Sequence, residues 1–106
     1  MHAAEALLDA AADKITIAAT QPDEKNVAAA SISVAEAKIL TTEVALLASN
    51  KLFELAGTRA TLEELNLDRH WRNARTHTLH DPVRWKFHAI GNYYLNEINP
   101  PRHPWI

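Results

Sequence analysis

DEKNVAAASISVAEAKILTTEVALLASNKLFELAG, residues 23–57, holds no glycine or proline before its last position. A stretch of that length without a breaker predicts one helix over 23–56, roughly 50 Å long at about 1.5 Å per residue. Ile32, Ala35, Ile39, Leu46, Asn50 and Phe53 mark one face, and Val27, Val34, Leu40, Val44, Leu47 and Leu55 widen it. A helix this long, apolar on more than one side, is expected to touch more than one neighbour. Gly57 is the residue expected just past its end, because glycine takes the left-handed backbone that terminates helices at little steric cost.

Working outward toward the N-terminus, Thr20-Gln21-Pro22-Asp23-Glu24 is a break, with a proline and two acids suited to a helix start. Before it, Ala4, Leu8, Ala11, Ile15 and Ala18 recur at alternating spacings of four and three. That spacing predicts an amphipathic helix over 1–19 with a narrow apolar seam. Met1-His2-Ala3 enters the helical pattern without a capping residue, as expected where a longer chain has been cut. Toward the C-terminus, Thr61 followed by Glu64 resembles a capping box and predicts a third helix running to about Thr78. Asp81-Pro82 predicts the N-cap and first position of a fourth helix through Val83, Phe87, Ile90, Tyr94 and Leu95. Asn99-Pro100-Pro101 is expected to stop it. The expected architecture is all-α, an antiparallel helical bundle over 1–98 followed by a tail over 99–106.

Composition agrees. Two glycines in 106 residues leave few places for hairpin turns, which favours helices over strands. Hydrophobic residues make up 47% of the chain, but alanine supplies much of that and aromatics only 7%, so each residue buries little area. The chain is therefore expected to need partners, either copies of itself or a larger body. A net charge of −2 argues against a nucleic-acid or anionic-membrane binder. The absence of cysteine excludes disulfides, thiolate metal ligands and a cysteine nucleophile. No apolar run is long enough to cross a bilayer and no secretory leader pattern is present, so the expected location is cytoplasmic.

Chemistry concentrates in Arg69-His70-Trp71-Arg72-Asn73-Ala74-Arg75-Thr76-His77-Thr78-Leu79-His80-Asp81-Pro82. On a helix, Arg69, Arg72 and Arg75 form one ridge, while Leu67, Trp71, Ala74 and Thr78 would face a core. The ridge could hold a phosphate, or Arg72 could simply pair with Asp68 four residues earlier. His77 and His80 lie three apart where the helix ends. They suit a metal only with further ligands, which the sequence does not cluster, and they equally suit capping of the last carbonyls. Gly57-Thr58-Arg59 offers backbone N–H groups, a hydroxyl and a guanidinium, a set that can take a phosphate or that is only a helix cap. Trp71, Trp85, Phe87, Tyr93 and Tyr94 are expected in core or inter-subunit packing, and Trp105-Ile106 as an apolar end suited to docking.

These residues also carry a resemblance. Ala56-Gly57-Thr58-Arg59-Ala60, the run from Leu67 to Pro82, Asn92-Tyr93-Tyr94-Leu95-Asn96 and the Pro-Pro-Arg-His-Pro-Trp tail resemble the end of the acyl-CoA dehydrogenase superfamily. More narrowly, they are similar to its flavin-dependent monooxygenase branch, that of dibenzothiophene monooxygenase and the sulfur-acquisition oxidoreductases. The specific match covers about half the chain; the helices before Ala56 fit only in length and placement. The resemblance implies most of a C-terminal helical domain, lacking the first helix of its bundle, an N-terminal helical domain and a middle β-domain. It implies that the isolated chain is inactive.

In the dehydrogenases, an Arg-Asp-Ala-Arg-like motif precedes a Tyr-Glu-Gly whose glutamate abstracts a proton from substrate. Here Arg72-Asn73-Ala74-Arg75 precedes Leu79-His80-Asp81, so the resemblance puts His80 at the base position and disfavours acyl-CoA dehydrogenation. It assigns His80 and His77 as catalytic, with His77 orienting His80 or touching substrate. Gly57, Thr58 and Arg59 are assigned to a flavin, commonly that of a neighbouring subunit. The implied cofactor is reduced FMN, with FAD as the alternative. A separate flavin reductase would supply it, oxygen would be the co-substrate, and a small organosulfur compound would be the substrate. The implied assembly is a homotetramer; from the residues themselves no metal is expected. Imidazole suits the task because it titrates near neutrality and can both donate and accept a proton. A non-catalytic self-association module is the other expectation that the sequence leaves open.

Overall fold

Asp23 turns its carboxylate onto the backbone N–H of Asn26 at 2.8 Å, and this cap starts the helix against which everything else packs. The computed structural model describes residues 1–103. Its helices are α1 (His2–Thr20), α2 (Glu24–Ala56), α3 (Asp68–His80) and α4 (Val83–Asn96), and no strand occurs among the described residues. Two 3-10 turns, Thr58–Thr61 and Glu63–Leu65, connect α2 to α3. The breaker-free stretch is one helix as expected, and it sets the 53 Å long axis of a body 22 Å across. Gln21, Pro22 and Asp23 are all that separate α1 from α2, so the two run antiparallel. α1, α3 and α4 each pack on α2.

The core is made of small side chains. Ile32 and Ala35 are almost fully buried, with Ala28, Ala30, Ala37 and Ser33 beside them and Ala4 and Ala11 from α1. Alanine at these positions lets helix backbones approach closely but removes little apolar area from water. The α1 seam is accordingly half used: Ala4 and Ala11 are buried, while Leu8 and Ile15 remain about half exposed.

Gly57 ends α2 as expected, at φ 74° and ψ −168°, with its N–H on the Phe53 carbonyl. The capping box does not form. The Thr61 hydroxyl turns back to the Thr58 carbonyl at 2.8 Å instead of forward, and the chain stays in 3-10 turns until Asn66 takes a left-handed conformation. α3 therefore begins only at Asp68, whose carboxylate meets Arg72 at 3.5 Å on an exposed face. The Arg69 guanidinium donates to the carbonyls of Leu65 and Asn66, closing the turn that precedes the helix.

Asp81 does not cap α4. That helix starts at Val83, after Pro82, and the Asp81 side chain is taken by two lysines. The inward register of α4 also differs from the expected one. Lys86 is buried and Val83, Ile90 and Tyr93 are half-buried, whereas Phe87, Tyr94 and Leu95 are exposed. α4 ends before the proline pair, because Glu97 takes a left-handed conformation and the Ile98 N–H reaches back to the Asn92 carbonyl. The chain then crosses the start of α2, where the Asn99 amide donates to Glu24 at 3.1 Å and Arg102 to the Pro22 carbonyl at 3.4 Å. The expected docking of Trp105 and Ile106 concerns residues outside those described.

Candidate functional site

The last turn of α3 stands largely in solvent, with Thr76, His77, Leu79 and His80 exposed and only Thr78 buried. Two threonines tie its backbone. Thr76 donates to the Arg72 carbonyl at 2.8 Å and Thr78 to the Arg75 carbonyl at 3.0 Å. His77 and His80 come together as their spacing predicts, lining one open groove with Asn73, Thr76 and Leu79. His77 borders a second, mostly apolar groove of about 660 Å³ between α1, α2 and α3, where Lys38 and Thr78 are among the few polar neighbours. The His77 ring makes no hydrogen bond to another described residue, so carbonyl capping does not occupy it.

Next to the histidines lies a cluster that periodicity did not reveal. One carboxylate oxygen of Asp81 receives Lys38 from α2 at 2.5 Å and Lys86 from α4 at 3.1 Å. The Lys86 side chain is only 5% exposed, while Asp81 and Lys38 keep 21% and 25% of theirs, so this is a part-buried ion cluster and not a surface pair. The hydrogen bond from Lys38, more than any other influence, holds the Asp81 carboxyl below the ordinary carboxylate range; Lys86 adds to this and burial opposes it. A signal for the cluster does exist in the sequence. Lys86 lies three residues after Val83 and four before Ile90, in the middle of an apolar stripe, and an inward lysine requires a counter-charge. Both lysines compete with any other cation for Oδ2 of Asp81. Groups of three or more metal-binding side chains are absent among the described residues.

Gly57, Thr58 and Arg59 stand apart from the histidines. All three are exposed at the far end of α2, and none of them lines either groove that His77 borders. Arg59 makes no ion pair with a described carboxylate, and a Cβ built on Gly57 would meet nothing within 4 Å. The turn thus presents an uncommitted guanidinium beside an unobstructed backbone. No helix of the described chain is long and apolar enough to cross a membrane.

Against known proteins, the family model described as acyl-CoA dehydrogenase, C-terminal domain matches residues 1–85. A Pseudomonas putida protein named "Probable FMNH2-dependent monooxygenase SfnC" is 45% identical over 69 residues, which is 65% of this chain and 18% of that protein. Methanesulfinate monooxygenase MsuC from Pseudomonas fluorescens superposes with a TM-score of 0.90 and 34% identity, over 99% of this chain and 28% of that one. FMN-bound TdsC from Paenibacillus sp. A11-2 superposes with a TM-score of 0.75 and 29% identity, over 98% of this chain and 30% of that one. The chain therefore spans under a fifth of the curated relative and under a third of the solved structures.

Proposed function

Since this chain belongs to the acyl-CoA dehydrogenase C-terminal domain family, we propose that it is the helical domain of a flavin-dependent monooxygenase. The enzyme would use reduced FMN and oxygen to oxidise a small organosulfur compound. The observation that carries this reading is His80 beside His77 on one open groove, in a chain that superposes on methanesulfinate monooxygenase over 99% of its length. FMN is favoured over FAD because the relatives named for a flavin name FMN.

The donor chemistry fits the cofactor. Arg59 supplies a positive charge and paired donors, Thr58 a hydroxyl, and Gly57 a backbone that a phosphate or ring edge can approach without meeting a side chain. These three would hold the flavin, and their separation from the histidines fits a flavin belonging to a neighbouring subunit. Reduced FMN, when bound, supplies the electrons with which oxygen is activated. His80 donates and recovers a proton at an imidazole nitrogen during oxygen transfer, and His77 contacts substrate or orients the His80 ring. Histidine suits this role at neutral pH better than a carboxylate, whose proton is gone well below it. A flavin reductase and further copies of the chain are the partners this reading requires.

The test begins with the native polypeptide in source cells. Immunoblotting with peptide mapping should find a chain several-fold larger than 11.8 kDa. That polypeptide, given reduced FMN, should oxidise methanesulfinate or a thiophene. His80→Ala should lower turnover by about two orders of magnitude while the protein still binds FMN, in keeping with loss of a general acid. Turnover of acyl-CoA with an artificial electron acceptor, and none of sulfur compounds, would overturn the reading.

A further inference from the structure

His80 is the last residue of α3, and helix ends fray unless something holds them. Little of this turn is buried: Thr78 is its one buried side chain. The next residue along the chain is Asp81, and there the three helices meet. Lys38 reaches it from α2, 43 positions earlier, and Lys86 from within α4. Both ammonium groups approach the same oxygen, Oδ2, with Asp81 and Lys38 about one-quarter exposed or less and Lys86 nearly enclosed. Two charge-assisted bonds from different helices onto one oxygen fix the carboxylate in direction as well as distance. The Asp81 backbone is extended at φ −127° and ψ 92°, so the constraint is applied one residue past His80, where the helix hands over to the corner before α4.

We propose that Asp81, clamped by Lys38 and Lys86, is the positioning residue that sets the orientation of the His77–His80 turn. The inference rests on the oxygenase reading for its meaning, since it is the histidines of that reading that are positioned. Asp81 touches no reacting group in this role; it acts through the backbone and through the packing of three helix ends. Lys38 gives the clamp a second consequence. It borders the apolar groove that His77 also lines, so the ion cluster forms part of the wall holding His77 in place.

The experiment compares the 106-residue chain with Asp81→Asn, Asp81→Glu and Lys38→Gln. It reads the imidazole nitrogen resonances of the histidines and the amide exchange of residues 78–80. In Asp81→Asn, the His77 and His80 rings should shift and broaden while those of His2 and His70 stay. Exchange at 78–80 should accelerate at least about tenfold while Ile32 and Ala35 keep their protection. Asp81→Glu, which retains the charge, should recover part of both signals, and Lys38→Gln should produce a smaller change of the same kind. A folded Asp81→Asn protein with unmoved rings and exchange within about twofold of the parent overturns the proposal. So does Asp81→Glu behaving like Asp81→Asn. Should Asp81→Asn fail to fold, Lys38→Gln decides by the same two signals, movement supporting the clamp and its absence overturning it. Neither signal involves flavin or oxygen, so a clamp seen in this chain beside a full-length polypeptide that shows no turnover would count against the oxygenase reading alone.

Discussion

Tyr94 of α4 donates its phenolic hydrogen to the Glu36 carboxylate of α2 at 3.0 Å, joining residues 58 positions apart. The bond holds the Tyr94 hydroxyl above its ordinary range, chiefly because an ionised phenol would lose the donor and face a carboxylate; burial adds a smaller push. A raised folded pKa gives stability that is complete below the unfolded value near 10 and is lost as pH rises through the folded one. Tyr94→Phe should therefore cost about 0.5–1 kcal/mol near neutrality, at the low end for a hydrogen bond because the pair is solvent-screened. The difference from the parent should be flat below pH 10 and shrink above it, as read by urea unfolding at a series of pH values.

Asp81 gives the opposite pH signature. Its carboxyl lies below the ordinary range through Lys38 first, then Lys86. A depressed folded pKa contributes stability that is present above the unfolded value and lost as pH falls through the folded one. The stability gap between the parent and Asp81→Asn should stay constant from neutrality to about pH 5 and close only below about pH 4. Its size should be about 2–3 kcal/mol, since the substitution takes a carboxylate from a buried lysine. A gap under about 0.5 kcal/mol at neutrality would show that Lys86 does not depend on this partner.

Gly57 should be intolerant for a conformational reason alone. Its φ of 74° with ψ of −168° is a region almost restricted to glycine, yet an added Cβ would meet no atom within 4 Å. Gly57→Ala should cost about 1–3 kcal/mol without any clash to relieve. In calorimetry that is a drop of at least about 4 °C in Tm for a chain of this size. An unchanged Tm would mean that the end of α2 re-forms in an ordinary left-handed or right-handed conformation.

The parts of this fold legible in the sequence were those with a strong local signal. The breaker-free run from Glu24 to Ala56 and its Gly57 stop each depend on a few adjacent residues, and each appears as expected; Asp23 and Glu24 suit a helix start by charge, and the structure makes Asp23 the cap itself. The histidine pair was legible for the same reason: a spacing of three on a helix makes neighbours. The misses have two causes, one a local competition and the other a contact distant in sequence. Thr61 and Glu64 have the types of a capping box, but the Thr61 hydroxyl takes the Thr58 carbonyl three residues back instead. Asp81-Pro82 has the types of a helix start, but Lys38 and Lys86 take the carboxylate first. The register of α4 was misread because aromatic Phe87 and Tyr94 outweighed a lysine in the apolar pattern, while the interior took the lysine with its counter-charge. Membership of the family was legible from motifs in the C-terminal half of the chain.

The remaining prediction concerns the apolar surface that the bundle leaves open. Leu47 and Leu55 project from the C-terminal part of α2 at 58% and 87% exposure, and Trp85, Phe87 and Leu95 from α4 at 55–83%. Single exposed leucines are ordinary, but five large apolar side chains on the same two helices of an alanine-cored domain are not. With so little area buried inside, covering these residues is the readiest source of further stability. Sedimentation velocity on the chain should show a mass that rises with concentration through the micromolar range. Leu55→Lys and Leu47→Lys should shift that equilibrium toward the monomer, since a charge at the contact must be desolvated. Because both side chains point into solvent in the single chain, helix content at low concentration should be unaffected. A parent chain that stays monomeric to hundreds of micromolar would show that these faces pair with other parts of a longer protein and not with each other.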